Sequence, residues 1–242
     1  KPDAIKLLQR EEDMDQALYD GTVTALVVLD DIQVGDIIDY SYSITGANPV
    51  FANNFVTQFG LGFSSSIARV RHRIITPTGR TLNARSVAGD FNPVVSTKGG
   101  YREYLWDQRN TTALEYEDGA PAWHDQTPYV SVSEFETWAD VANWALPMYT
   151  APAVSSLSPA LKTKIDELRA IPDPAKRVLA AVEFVQDGVR YFGVELGTGS
   201  HKPRHPNDTF ATRYGDCKDK ALLLVSLLKA LNIKAYPAFV SV

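Results

Sequence analysis

Apolar positions recur every second residue in the first half of the chain and every third or fourth in the second, with the change falling near Tyr129. Thr22 to Leu29 is a β-branched run that predicts a buried strand. In Ile38-Asp39-Tyr40-Ser41-Tyr42-Ser43-Ile44, large residues alternate with small polar ones, the pattern of a half-buried strand, and Gly35-Asp36 supplies a turn before it. Ser66 to Ile75 alternates again, with Ala68, Val70, His72 and Ile74 opposite Arg69, Arg71 and Arg73. Pro77-Thr78-Gly79 marks a turn, and Tyr101 to Trp106 is a further strand. Short strands joined by Gly, Pro and Asn turns, from about Gly21 to Trp123, predict an antiparallel sandwich or open barrel.

The second half reads as helices. Ser133-Glu134-Phe135-Glu136 has the form of a capping box and predicts a helix with Phe135, Trp138, Ala139, Ala142 and Leu146 on its inner face, ended by Pro147. On that helix Trp138 and Trp144 read as packing residues. Thr150 to Leu157 is short, small and Pro/Ser-containing, and places a domain boundary between residues 1–149 and 150–242. Ser158-Pro159 and Asp173-Pro174 each join a capping residue to a proline at the first helical position. They predict one helix to about Arg169 and another with a stripe of Val178, Leu179, Val182, Val185 and Val189. Gly193 to Asn207 reads as a loop. The helix after Cys217 carries Leu222, Val225, Leu228 and Leu231 on one face, widened by Leu224 and Leu227, and is central. Ala235 to Val242 reads as a strand.

Composition narrows the class. Of 242 residues, 45% are hydrophobic and 22% charged, enough apolar material for a sizeable core in a soluble globular protein. A net charge of −5 argues against a nucleic-acid partner or an anionic membrane surface. No apolar run is long enough to span a bilayer. Lys1-Pro2-Asp3-Ala4-Ile5 is no signal peptide and reads as a processed or trimmed start. The single cysteine excludes an internal disulfide and a multi-cysteine metal site.

That cysteine carries the candidate chemistry. In Tyr214-Gly215-Asp216-Cys217-Lys218-Asp219-Lys220, Gly215 allows a sharp turn, Asp216 is a good N-cap, and Cys217 follows at the first helical position. There the unpaired backbone N–H groups and the helix dipole favour thiolate, the nucleophilic form, and Lys218 and Lys220 add positive charge. The amides of Cys217 and its neighbours are oxyanion-hole candidates. Free cysteines are commonly small buried hydrophobes, but charged residues on both sides argue for an accessible thiol, and the apolar stripe begins only at Ala221.

Val185-Gln186-Asp187-Gly188-Val189-Arg190-Tyr191, Glu195-Leu196-Gly197, Pro203 and the block Tyr214 to Lys220 together resemble the core of bacterial transglutaminase-like proteins. The earlier pieces Val34 to Tyr40, Asn48-Pro49-Val50-Phe51 and Val132-Ser133-Glu134-Phe135 with Trp138 resemble the β-rich DUF3857 family of bacterial envelope proteins. The resemblance implies an α+β fold class, with an N-terminal antiparallel β-sandwich or open-barrel domain followed by the helical, cysteine-bearing half of a papain-like domain. It further implies thiol-dependent acyl transfer or amide hydrolysis through a Cys217 thioester, on protein or peptide substrates, in the periplasm or cell envelope, with no cofactor. Tyr191 would line the cleft, and Asp216 and Lys218 would border it. By the same likeness the histidine and aspartate of a triad are due beyond Val242, so the chain is expected to stop inside the catalytic domain and not to turn over substrate.

Other readings are weaker. His201-Lys202-Pro203-Arg204-His205 lacks a carboxylate or cysteine at metal-ligand spacing, and Pro203 and Pro206 break any helix that would align the rings. His201 or His205 as a triad base runs against the order of the family, and loop surface bordering a cleft is the simpler reading. The arginines at 69, 71 and 73 read as a solvated strand face. The competing functional hypothesis is a non-catalytic binding or scaffold module that keeps the transglutaminase-like core. Oligomeric state is not legible.

Overall fold

Strand β4, Ile67–Pro77, and strand β7, Tyr101–Thr111, pair along almost their whole length and form the backbone of the first half. The computed structural model describes residues 5–8, 23–121, 123–193 and 195–240. Within them the fold is α+β, with antiparallel sheets and five helices. Gly21, Thr22, Ala122, Val194, Ser241 and Val242, which the sequence reading includes in predicted segments, lie outside the described residues.

The chain divides into two units, residues 1–46 and 47–242. In the first, β1, Ile5–Leu8, pairs antiparallel with β2, Thr24–Val27. The strand predicted over Thr22 to Leu29 is there, but Leu26, Val27, Val28 and Leu29 are exposed rather than buried. A two-stranded ladder gives a strand one neighbour and no layer to bury against. Ile38 to Ile44, predicted as a half-buried strand, forms no ladder among the described residues, and Ile38, Tyr40, Tyr42 and Ile44 are all exposed.

The second unit holds the remaining elements. Two three-stranded sheets run in the orders β3-β8-β5 and β4-β7-β6, with β3 at Val56–Gly60, β5 at Asn83–Val87, β6 at Val94–Lys98 and β8 at Tyr129–Ser133. Alternation sorts β4 as predicted from Val70 onward, while Ala68, expected on the inner face, is exposed. Val70 is buried, while Arg69 and Arg73 are exposed and pair across the ladder with Asp107 and Glu103. Val70, Tyr104 and Trp106 of one sheet share a core with Val130 and Val132 of the other. Gly99 and Gly100, with φ of 59° and 80°, close the β6–β7 hairpin as a two-residue turn in which both central residues need positive φ.

Helix α1, Trp138–Tyr149, starts four residues later than the Ser133 capping box predicts. Ser133 instead ends β8, and Glu134 accepts from the Phe55 amide and pairs with Arg80. The capping box is Thr137 with Asp140. The packed face is Val141, Trp144, Ala145 and Met148, whereas Trp138 and Leu146 from the predicted face are exposed. Pro147 sits inside the last turn and does not end the helix.

The helices α2, Pro159–Arg169, and α3, Pro174–Gly188, begin at the predicted Ser158 and Asp173 caps, which accept from the Leu161 and Ala175 amides. In α3, Ala181 and Val185 are buried and Leu179 is exposed. The loop predicted over Gly193 to Asn207 contains a 3-10 turn, Gly197–Ser200, and its last two residues begin a short helix α4, Pro206–Thr212, capped by His205. Helix α5, Cys217–Ala230, is central as expected, with Leu223 and Leu227 fully buried against α2, α3 and α4. Residues 235–240 form no strand; a strand needs a ladder partner, and among the described residues this segment has none.

Candidate functional site around Cys217

A two-residue parallel ladder places the site. Strand β9, Arg190–Tyr191, pairs with β10, Tyr214–Gly215, setting Tyr191 opposite Gly215 just before α5 begins. Gly215 is required by close packing and not by a turn. Its φ is not positive, and a Cβ there would lie 2.7 Å from the Asp219 Cβ and 2.9 Å from Asp219 Oδ2. Asp219 in turn accepts from the Arg204 backbone amide at 2.8 Å and from Arg204 Nε at 2.9 Å, and the Arg204 guanidinium lies over the Tyr214 ring.

Asp216 is the N-cap. Its Oδ1 accepts from the Lys218 and Asp219 amides at 3.1 and 3.2 Å, and its Oδ2 binds Lys218 Nζ. Burial is inverted relative to the expectation that the core begins at Ala221. Asp216, Lys218 and Asp219 are buried, and the thiol of Cys217 between them is exposed. The charges turn inward because each has a partner there: Lys218 with Asp216 and, at 3.9 Å, with Glu195; Asp219 with Arg204. Lys220 does not add charge beside the thiol. Its ammonium donates to the Val189 and Gln186 carbonyls at 2.7 and 3.2 Å, at the end of α3.

The cap also occupies most of the amides of the first turn. The Lys218 and Asp219 N–H groups are occupied by Asp216 and the Lys220 N–H by the Asp216 carbonyl. Among the described residues the Cys217 N–H is the first-turn donor left without a hydrogen bond.

Two phenols are shifted by the charges at the helix start. The Tyr191 phenol is pushed above its ordinary value chiefly by the negative charge of Cys217, then by burial, and by Asp216 and Glu195. Tyr149, which the sequence reading missed, is pushed up to about 12 by burial first and then by Cys217, Asp216 and Asp219. Nothing in the sequence around Tyr149 marks it, because it reaches the site by being the last residue of a helix from another part of the chain. Its hydroxyl donates to the His201 carbonyl at 2.8 Å.

The histidines are held elsewhere. His201 stands against Phe51 and Trp144, with its Nδ1 2.7 Å from Ser200 Oγ. His205 Nδ1 accepts from the Asn207 amide as the cap of α4. Neither bonds Cys217 among the described residues. No group of three or more His, Cys, Asp or Glu side chains with metal-binding placement occurs among them, and no helix is long and apolar enough to cross a membrane. A cleft of about 240 Å³ is lined by Phe192, Tyr214, Lys202, Arg204, Asp216 and Asp219, beside the helix start but without Cys217 in its wall.

Residues 1–115 match the profile of a family described as a domain of unknown function with solved structure, DUF3857. No curated protein matches the chain. A crystal structure described as that of a putative protease from Parabacteroides distasonis superposes with a TM-score of 0.71 at 15% identity, covering 96% of this chain and 45% of that one. A second, described as a putative cysteine protease from Cytophaga hutchinsonii, gives a TM-score of 0.30 at 15% identity, covering 74% of this chain and 59% of that one. The chain thus spans about half the length of the solved structures it matches. It shares the fold of the corresponding part of the Parabacteroides protein, and its first 115 residues are similar to DUF3857.

Proposed function

We propose that Cys217 is the nucleophile of a transglutaminase-like site for thiol-dependent acyl transfer or amide hydrolysis. On this reading residues 150–242 are the N-terminal part of a papain-like catalytic domain, preceded by a β-rich domain over 1–149. The observation that carries it is an exposed thiol at the first residue of a buried helix whose flanking residues, Asp216 and Lys218, are buried and paired.

The reaction follows from that position. The Cys217 thiolate attacks an amide carbonyl carbon; a C–S bond forms as the carbonyl electron pair moves to oxygen, where the Cys217 N–H donates. Collapse breaks the C–N bond, the amine leaves with a proton, and a thioester remains for water or a second amine. On this reading the proton is carried by a histidine oriented by an aspartate, as in the family the chain resembles. Tyr191, on the same reading, helps to line the cleft. The resemblance to envelope proteins makes peptide or protein amides of the bacterial periplasm the substrates, and the protease description of the Parabacteroides protein fits that choice.

Alkylation tests the nucleophile directly. At pH 7, Cys217 is expected to react with iodoacetamide several-fold faster than N-acetylcysteine, as an amide-flanked thiol at a helix start should. A rate equal to or below the reference would overturn the assignment.

A further inference from the structure

The segment that borders the buried Lys218 is not held by its own packing. The 3-10 turn Gly197–Ser200 contains no buried residue. What holds it is a set of contacts from distant parts of the same unit. The Asn48 amide donates through Nδ2 to the Gly197 carbonyl at 2.7 Å and to Ser200 Oγ at 2.8 Å. The other end of that side chain is also committed, since Asn48 Oδ1 accepts from the Val50 amide and caps the turn Pro49–Phe51. Trp144 Nε1 donates to the Val50 carbonyl at 2.8 Å, and the Trp144 ring stacks on Phe51 at 5.3 Å. His201 closes the cluster, 4.8 Å from the Phe51 ring and 5.6 Å from Trp144, with its carbonyl taken by Tyr149.

On its other side this loop meets the helix start. Burial, followed by the positive charge of Lys218, holds the His201 imidazole below its ordinary value, while Glu195 opposes them. Glu195, two residues before the turn, is the second carboxylate beside Lys218. Lys218 in turn pairs with Asp216, whose carboxylate fixes the first turn of α5. Asn48 therefore stands at one end of a path that runs through the Gly197 carbonyl, the backbone back to Glu195 and the 3.9 Å Glu195–Lys218 pair to the cap of the cysteine helix.

We infer that Asn48 is a positioning residue for Cys217, acting through the 197–201 loop and the Lys218–Asp216 pair. This rests on the nucleophile assignment above and gives the β-rich part of the chain a role in the site. The amide is suited to it because one oxygen and one nitrogen serve two segments at once. Aspartate at this position would keep the turn cap and lose the donor to the loop.

That difference supplies the test. Asn48→Asp and Asn48→Ala are compared with the parent chain by iodoacetamide alkylation at pH 7 and by hydrogen exchange of the His201 and Lys202 amides, both of which donate to the Thr198 carbonyl. Both variants are expected to slow alkylation about threefold, the scale of a helix-terminus interaction. Both should also speed exchange of the two amides about tenfold through local opening. If Asn48 only caps its own turn, Asn48→Asp will match the parent in both measurements, and the inference falls. Faster exchange with unchanged alkylation would also overturn it, since the loop would then be clamped without positioning the thiol. Slow alkylation of the parent chain itself, with the exchange effect intact, would count against the nucleophile and not against the clamp.

Discussion

Gly215 and Asp216 show how little room the cysteine turn leaves for substitution. Gly215→Ala pushes a methyl group into Asp219 and against Arg204, whose Nη2 would lie 3.1 Å from it. The expected cost is about 1–3 kcal/mol, as for overpacking in a close-fitted site, read from urea unfolding; a variant as stable as the parent would mean that β10 can shift freely. Asp216→Ala removes the cap and leaves the Lys218 ammonium buried without its nearer partner. Breaking one side of such a pair costs about 3–5 kcal/mol, while replacing both charges by apolar groups is often neutral. Lys218→Met introduced into Asp216→Ala should therefore recover much of the lost stability, and a purely additive double variant would refute the pairing. The cap and the helix start were legible, because a short acceptor side chain before an apolar run has one obvious use. The direction of the charges was not. Lys218 and Lys220 look equivalent in the sequence, yet one turns to Asp216 and the other to the end of α3.

At the scale of elements, α1 is the clearest case of two readings competing within one segment. Its sequence carries two apolar stripes: Trp138, Ala142 and Leu146, and Val141, Trp144, Ala145 and Met148. Periodicity alone ranks them equally, and the second is chosen because Trp144 reaches the Val50 carbonyl and Phe51. Likewise Ser133 and Thr137 both offer capping chemistry, but Ser133 is committed to the β8 ladder with Val56 and Asn83. Thr137→Ala should cost about 1 kcal/mol in chemical denaturation. Ser133→Ala should leave the start of α1 intact by circular dichroism, losing at most its bond to the Phe135 amide. Equal loss of helix in both would return the cap to Ser133. The helices α2, α3 and α5 were legible to their first residue because proline or aspartate marks each start. The alternation over 38–44 and the strand expected over 235–242 form no ladder among the described residues. Alternation says which side chains share a face; it does not supply the neighbouring strand.

For the molecule as a whole, these interactions fix how stability responds to acid, in two windows. His72 is held below its ordinary value of 6.5 by burial, with a backbone hydrogen bond at Gly60 opposing, and its ring stacks on Phe59 at 4.1 Å. His201 is shifted the same way by burial and Lys218. An imidazole with a depressed value in the folded state binds its proton later than it does in the unfolded chain. Stability is therefore undiminished above about pH 6.5 and declines as pH falls toward the folded values. The second window belongs to carboxylates. Arg80 holds Glu134 below its ordinary 4.5, the Thr137 hydroxyl and amide hold Asp140 below 3.8, and Arg69 holds Asp107 below 3.8. Their contribution is present above those values and is lost as pH falls through the folded ones. The thermal midpoint should thus drop gently below about pH 6.5 and again below about pH 4.5. Two substitutions separate the windows. His72→Phe keeps an aromatic ring against Phe59 and should reduce the upper slope only, leaving the part that belongs to His201. Glu134→Gln keeps an acceptor for the Phe55 amide but loses the ion pair with Arg80, and should reduce the lower slope only. If His72→Phe leaves the slope between about pH 6.5 and 5 unchanged, burial of that imidazole does not govern the upper window, and His201 beside Lys218 is left as its source.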